Sequence, residues 1–66
     1  MIRLELERRK RGLTQADLGR KILYSRQVIS ELERTPPQED AVGIRLKAAL
    51  ESFFGLPFKE LLDIVR

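Results

Sequence analysis

The chain has 66 residues, a net charge of +3 and neither cysteine nor histidine, which allows one small domain of marginal stability and excludes disulfides and metal sites built on those ligands. No apolar stretch approaches the roughly 20 residues of a membrane span, and the N-terminus lacks the apolar core of a signal peptide, so we expect a cytoplasmic protein with no membrane contact, no metal and no cofactor. The positive charge is concentrated in residues 1–34, which hold nine Lys or Arg against five Asp or Glu, so this half is the one that attracts a phosphate backbone.

Helix signals run along the whole chain, whereas strand signals are nearly absent, so the expected fold class is all-α. The first helix is expected over residues 2–11, because Gly12 is a typical C-terminal stop. Its last turn is a run of four cations, which suits the negative end of the helix dipole.

The second and third helices are predicted by two good N-cap residues. Thr14 caps a helix over residues 15–22, and Ser25 caps a helix over residues 26–34. The link between them is so short that the two helices must cross at a steep angle.

The rest of the chain predicts two further helices. Thr35 with the two prolines after it has the pattern of a helix start, so a fourth helix is expected from there to about Phe54. This helix would contain Gly43, at a cost of roughly 1 kcal/mol relative to alanine. Pro57 is expected to open a fifth helix that reaches about residue 65.

The third helix is amphipathic. At about 100° per residue, Val28, Ile29 and Leu32 share one face, which must dock on the other helices. The opposite face carries the polar residues Arg26, Gln27, Ser30 and Glu31. Arginine can contact guanine, glutamine can contact adenine, and serine and glutamate can also contact base edges, so this face suits a DNA major groove. An ordinary solvated helix face has a similar composition, so the residues alone leave both interpretations open.

The stretches LTQADLG at 13–19 and SRQVISELE at 25–33 resemble the phage-repressor and Cro type of helix-turn-helix family, the Xre-like regulators. The typical family pattern is Leu-Thr-Gln, a Leu-Ala pair, a turn Gly, then Ser, Ile-Ser and Glu, and the five-helix layout agrees over nearly the whole chain. The resemblance implies a single domain over 1–66, built as a five-helix lambda-repressor-like bundle with its helix-turn-helix at about 14–34. It also implies sequence-specific binding of double-stranded DNA and regulation of transcription, most simply as a repressor.

The resemblance assigns DNA contacts residue by residue. Base contacts are expected from Arg26, Gln27, Ser30 and Glu31. The resemblance gives phosphate contacts to Gln15 and Arg34. Further phosphate contacts are expected from Ser25, Arg9 and Lys10, because phosphate contacts supply most of the affinity for DNA. Gln15 is also expected to buttress the third helix from the start of the second.

Glu33 lies at the edge of the apolar face, so its carboxylate is expected to be partly buried and to need a partner. The resemblance assigns that partner as Arg8 of the first helix. We therefore expect a structural ion pair between Arg8 and Glu33, with no role in contacting DNA.

Three features depart from the family pattern. Leu23 occupies the place of the turn glycine, where a positive φ costs a leucine roughly 1–2 kcal/mol, so either Leu23 accepts this strain or the turn is built differently. Gly19 occupies the usual alanine position, and because both residues are small, close packing of the second and third helices is expected to survive. The segment between Glu33 and Gly55 is about one helical turn longer than usual.

The expected fifth helix is apolar over a wider arc than the roughly 100° that faces a core. The apolar residues are Phe58, Leu61, Leu62, Ile64 and Val65. They either close the core or form the surface of a two-fold dimer, which the resemblance favours. A dimer would present its two third helices to half-sites about 10 bp apart in an inverted repeat.

The sequence leaves one alternative to DNA binding open and speaks against another. Some proteins of this fold act as antitoxins or as adaptors that bind another protein, and this remains the alternative function. An enzyme is not expected, because the chain has no histidine, no cysteine, no phosphate-binding glycine loop and no opposed carboxylates in a pocket.

Overall fold

The computed structural model describes residues 1–66 and is built from helices alone. The α-helices are α1 (Arg3–Lys10), α2 (Gln15–Ile22), α3 (Arg26–Arg34), α4 (Ile44–Phe54) and α5 (Phe58–Leu61), with one 3₁₀ turn at Glu39–Ala41. The expected all-α class is therefore confirmed. None of these helices combines the length and the apolar character needed to cross a bilayer.

The starts of α2 and α3 follow from their capping residues. Thr14 Oγ1 accepts a hydrogen bond from the Asp17 N–H, and Asp17 Oδ2 accepts one from the Thr14 N–H, both at 3.0 Å. This reciprocal box satisfies two N–H groups that a helix start leaves free, and the backbone N–H of Thr14 holds the pKa of Asp17 below its ordinary value. Ser25 Oγ accepts from the Val28 N–H at 3.4 Å. Both helices have the bounds expected from the sequence.

The turn between α2 and α3 keeps the usual left-handed geometry although it has no glycine at the C-cap. Leu23 adopts φ 64° and ψ 41°, and its side chain points into solvent with 89% of its surface exposed. The Leu23 and Tyr24 N–H groups both donate to the Gly19 carbonyl, Tyr24 at 2.8 Å. Leu23 therefore accepts the strain that a glycine would avoid.

Gly19 is required by the close approach of this turn. A Cβ built on Gly19 would lie 2.5 Å from the Tyr24 carbonyl oxygen, which is closer than non-bonded atoms tolerate. The expected close packing of α2 and α3 is therefore present, and it is close enough that an alanine would not fit this backbone. The reason is that the neighbour is a backbone atom of the turn, which has no free rotation to move it away.

The fourth helix is shorter than expected, and its expected start at Thr35 is wrong. Thr35 instead ends α3, with its N–H donating to the Glu31 carbonyl at 2.9 Å. A residue before a proline avoids the helical region, and Pro36 follows it directly. The helix starts only at Ile44, and Gly43 is its N-cap rather than an interior residue.

The fifth helix is also shorter than expected, because it ends at Leu61 and the chain then turns at Leu62. Ile64 forms an isolated antiparallel bridge with Ile2. The Arg3 N–H donates to the Asp63 carbonyl and the Val65 N–H to the Met1 carbonyl, both at 2.8 Å. The last residues therefore pair with the backbone before α1 instead of continuing the helix.

The core is a single apolar cluster that receives side chains from all five helices. Its buried members are Ile2, Leu4, Leu18, Ile22, Ile29, Leu32, Leu50, Phe54, Phe58 and Leu61. Phe58 and Leu61 have no exposed surface, so the expectation that they belong to a dimer surface is wrong and they close the core instead. Of the other three residues expected in that surface, Leu62 and Val65 are half-buried and Ile64 is 66% exposed.

Glu7 pairs with a cluster of cations on α1, one of which also packs against α4. Its carboxylate lies 2.8 Å from Arg11 Nη1, 3.6 Å from Lys10 Nζ and 3.7 Å from Arg3 Nη1. The hydrogen bond from Arg11 is the main reason that the pKa of Glu7 lies below its ordinary value. The Arg11 guanidinium also stacks over the Phe54 ring at 4.9 Å from its centre, a favourable cation–π geometry.

Candidate nucleic-acid interface

The outer face of α3 is open to solvent. Ile29 and Leu32 are buried and fix the rotation of the helix about its axis. With that rotation, Arg26, Gln27 and Glu31 are exposed and Ser30 is half-buried. Four polar residues therefore share the side of α3 that faces away from the bundle.

The two residues at the start of α3 are free of partners within the chain. Arg26 and Gln27 take part in none of the side-chain hydrogen bonds or ion pairs of the molecule. Glu31 differs from them, because its carboxylate pairs with Arg34 one turn further along the helix. The donors of Arg26 and Gln27 are therefore available to an external ligand without the loss of an internal contact.

Arg8 and Glu33 form an ion pair that holds α1 against α3. Arg8 Nε donates to Glu33 Oε2 at 2.7 Å, and Arg8 Nη2 donates to Oε1 at 2.9 Å. The side chains are only 9% and 5% exposed. Arg8 Nη1 also donates to the Leu13 carbonyl at 2.8 Å. The hydrogen bond to Glu33 raises the pKa of Arg8 above its ordinary value, so the guanidinium stays charged.

Gln15 links the start of α2 to the same carboxylate. Its Nε2 donates to Glu33 Oε1 at 3.0 Å. This contact fixes the amide of Gln15 beside the last turn of α3, next to the exposed face of that helix. The side chain is half-buried, so only part of it can reach a ligand.

A polar depression of about 340 Å³ opens between α1, the start of α2 and the second half of α3. No hydrophobic side chain lines it. Arg9, Gln15, Ser30 and Arg34 meet there, together with Glu5, whose carboxylate pairs with Arg9 at 2.6 Å. The fold thus brings three of the five expected phosphate ligands to one place.

The other two expected phosphate ligands lie elsewhere. Lys10 is directed to the Glu7 carboxylate at 3.6 Å. Ser25 lies at a separate groove that Gln27 and Glu31 also line, and its hydroxyl oxygen already caps α3.

Glu5 is a residue of this site that the sequence interpretation missed. Its side chain is 17% exposed and its partner Arg9 is 59% exposed. The signal in the sequence was the Glu–Arg spacing of four residues, which is favourable on a helix. That spacing alone does not show that the pair faces the same side as α3. No group of three or more acidic residues, histidines or cysteines is placed to hold a metal ion.

Two crossed helices, of which the second has an apolar inner face and an unobstructed polar outer face, define a DNA-binding domain of the helix-turn-helix class. The helix-turn-helix family model matches residues 4–61. The chain therefore belongs to the helix-turn-helix family of the Xre and lambda-repressor type, a family of DNA-binding transcriptional regulators. Neither the curated proteins nor the solved structures gave a match.

Proposed function

We propose that this regulator is a repressor that binds an inverted-repeat operator as a homodimer, with α3 of each copy in the major groove. The observation that carries this proposal is that Arg26 and Gln27 are exposed at the start of α3 and that their side chains have no partner in the chain. The first residues of a recognition helix are the ones that reach base edges. A repressor of this kind acts by occupying a promoter.

Arg26 and Gln27 have the main role in sequence discrimination. Arginine makes two hydrogen bonds to guanine O6 and N7, and glutamine makes two to adenine N6 and N7. Ser30 and Glu31, one turn further along, contact bases or backbone at the edge of the site.

Phosphate contacts supply most of the affinity. The depression that holds Arg9, Gln15 and Arg34 lies beside the exposed face of α3, so a phosphate of the bound duplex is placed there. Ser25 and Lys10 contribute from outside the depression.

The dimer surface that we propose is built from the apolar residues left exposed near the terminal bridge. Ile64 is 66% exposed and Met1 is 53% exposed, while Leu62 and Val65 are half-buried. A two-fold contact through this patch would present two copies of α3 to half-sites about 10 bp apart.

The base-reading role is tested by selecting bound sites from random DNA and measuring the affinity of Arg26→Ala for the selected site. The expected loss is about 1–3 kcal/mol, with relaxed preference at one base pair. Lys59→Ala, which removes an exposed cation from α5, is the matched control for charge. An equal loss of Arg26→Ala on random DNA would refute base reading, and selected sites without an inverted repeat would refute the dimeric operator.

The dimer is tested by size exclusion with light scattering at micromolar concentration. Wild type is expected to elute as a dimer and Ile64→Lys as a monomer, because a lysine at the centre of the apolar patch leaves a charge without solvent. A wild type that stays monomeric at this concentration and on its operator would contradict the dimer.

A second candidate function, an antitoxin or adaptor that binds another protein, is favoured by one observation. A groove beside α3 is lined on one side by Val28 and Leu32 and on the other by Val42 and Leu46, so it offers apolar surface to a partner. A stable heteropartner whose binding survives the double substitution of Arg26 and Gln27 by alanine would establish this function in place of DNA binding.

A further inference from the structure

We propose that Glu5 is a specificity-determining residue, because it occupies Arg9 in the free protein and so weakens binding to duplexes that lack the operator sequence. This inference rests on the proposed DNA-binding surface. It assigns a role to a carboxylate that lies among the proposed phosphate ligands.

The geometry places Glu5 where a phosphate would compete with it. Its Oε2 lies 2.6 Å from Arg9 Nη2, in the same depression as Arg34 and Ser30. Glu5 is largely enclosed, with 17% of its side chain exposed, whereas Arg9 is 59% exposed. A phosphate that approaches from solvent therefore meets Arg9 with its charge already balanced by the carboxylate behind it.

The other cations of the depression are balanced as well. Arg8 donates two hydrogen bonds to the Glu33 carboxylate, and Arg34 is paired with Glu31. The depression is thus close to neutral in the free protein although three arginines line it. A weak electrostatic attraction for any duplex is the direct consequence.

Folding stability accounts for only a small part of the role of Glu5, because a carboxylate in the first turn of a helix stabilises that helix only slightly. An ion pair between residues four apart on a helix surface contributes little to folding. The Glu5 carboxylate accepts no hydrogen bond from any other helix. Its main effect is therefore on the charge that the depression presents.

The physical effect is on counterion release. Each cation that neutralises a phosphate releases a condensed ion and adds about 0.9 to the slope of log K against log salt. Arg9 can contribute in full only after it leaves Glu5. On the operator, base contacts offset that exchange, whereas on other sequences they do not.

The test uses a duplex of about 30 base pairs with random sequence, titrated by fluorescence anisotropy between about 50 and 200 mM KCl. Glu5→Gln keeps the shape of the side chain and removes its charge. Glu60→Gln is the matched control, because Glu60 is exposed on α5 and has no ion pair. Arg9→Gln and the double variant of Glu5 and Arg9 show whether the effect passes through Arg9.

Glu5→Gln is expected to bind the random duplex about three- to tenfold more tightly than wild type at the lowest salt, with a salt slope steeper by about one. Glu60→Gln should change the affinity less than twofold, and Arg9→Gln should abolish the gain in the double variant. Equal effects of Glu5→Gln and Glu60→Gln, or a gain that persists without Arg9, would overturn the role of Glu5. If no folded variant, wild type included, binds any duplex, the proposed function itself fails, which is a separate result from either of these.

Discussion

Arg8 and Glu33 join α1 to α3 through two parallel hydrogen bonds, at 2.7 and 2.9 Å, and the same carboxylate accepts a third bond from Gln15 at the start of α2. Three helices therefore converge on one carboxylate that is nearly buried. The pair sets the distance between α1 and the recognition helix, and with it the width of the depression where we place a phosphate.

Removal of one partner of this pair is expected to destabilise the domain strongly. Glu33→Ala leaves the Arg8 guanidinium enclosed with only the Leu13 carbonyl as a partner, and the expected loss in free energy of unfolding is about 3–5 kcal/mol. Urea unfolding followed by circular dichroism measures it. Glu31→Ala breaks an exposed pair and should cost less than about 1 kcal/mol.

Replacement of both partners separates the loss of the pair from the burial of a lone charge. The double variant Arg8→Met with Glu33→Met is expected to be more stable than Glu33→Ala, because neither side chain then carries a charge without a partner. If Glu33→Ala unfolds as wild type does, the pair has no structural role.

Leu23→Gly is expected to be neutral or to raise the free energy of unfolding by up to about 1 kcal/mol. Glycine removes the cost of roughly 1–2 kcal/mol that a leucine bears at positive φ, and it loses somewhat more backbone entropy on folding. The leucine side chain is 89% exposed, so little packing is lost. Lys21→Gly, in the last turn of α2 with ordinary helical geometry, should instead cost about 1 kcal/mol. A large loss of stability in Leu23→Gly would mean that the turn has a different conformation in solution.

Gly19→Ala is expected to lower the free energy of unfolding by about 1–3 kcal/mol, the usual range for overpacking. Alanine favours a helix by about 1 kcal/mol over glycine, but its Cβ would lie 2.5 Å from the Tyr24 carbonyl oxygen. Gly43→Ser adds a side chain where nothing lies within 4 Å, and it should be neutral or slightly stabilising because serine is a good N-cap. A Gly19→Ala variant as stable as wild type would show that the turn can open without cost.

The stability of the domain is expected to fall as the pH drops below about 4.5, the ordinary value for a glutamate. The pKa of Glu7 is lowered in the folded state by its hydrogen bond from Arg11, and that of Asp17 by the N–H of Thr14. A group with a lowered folded pKa stabilises above its unfolded pKa, and this contribution is lost as the pH falls through the folded value. Thermal unfolding between neutral pH and about pH 3 measures the decline.

Glu7→Gln and Asp17→Asn are the variants that test the origin of this pH dependence. Each should flatten the pH dependence between pH 5 and the folded pKa, because the group that takes up the proton is gone. Glu60→Gln removes one carboxylate from an exposed position on α5 and is the matched control for the loss of a charge. If all three variants follow the wild-type profile, other carboxylates control the acid response.

The part of the fold that the sequence predicts best is the helix-turn-helix. Thr14 and Ser25 define the starts of α2 and α3 through local hydrogen bonds, and the apolar spacing of α3 defines its inner face. Both signals act within one or two helical turns, so they can be read without knowledge of the tertiary structure. The same locality made the exposed face of Arg26 and Gln27 predictable.

The parts that were predicted wrongly depend on distant neighbours. The end of α5 is set by the pairing of Ile64 with Ile2 at the other end of the chain, and no local pattern marks it. The burial of Phe58 and Leu61 depends on α1 and α4 rather than on their own helix. The start of α4 is different, because Pro36 after Thr35 is a local signal in the sequence against a helix at that point.

The bridge between Ile2 and Ile64 brings residues 1–2 and 64–65 together, with the Met1 carbonyl 2.8 Å from the Val65 nitrogen. The residues in this contact are separated by almost all of residues 1–66. Bringing them together therefore has the largest loop-closure entropy cost of any contact in the molecule. A circular permutant of residues 1–66, with residues 1 and 66 joined by a short linker and the chain opened in the exposed stretch after Thr35, would turn this most distant contact into a local one. The permutant would fold faster for that reason, and the recognition helix α3 would stay uninterrupted.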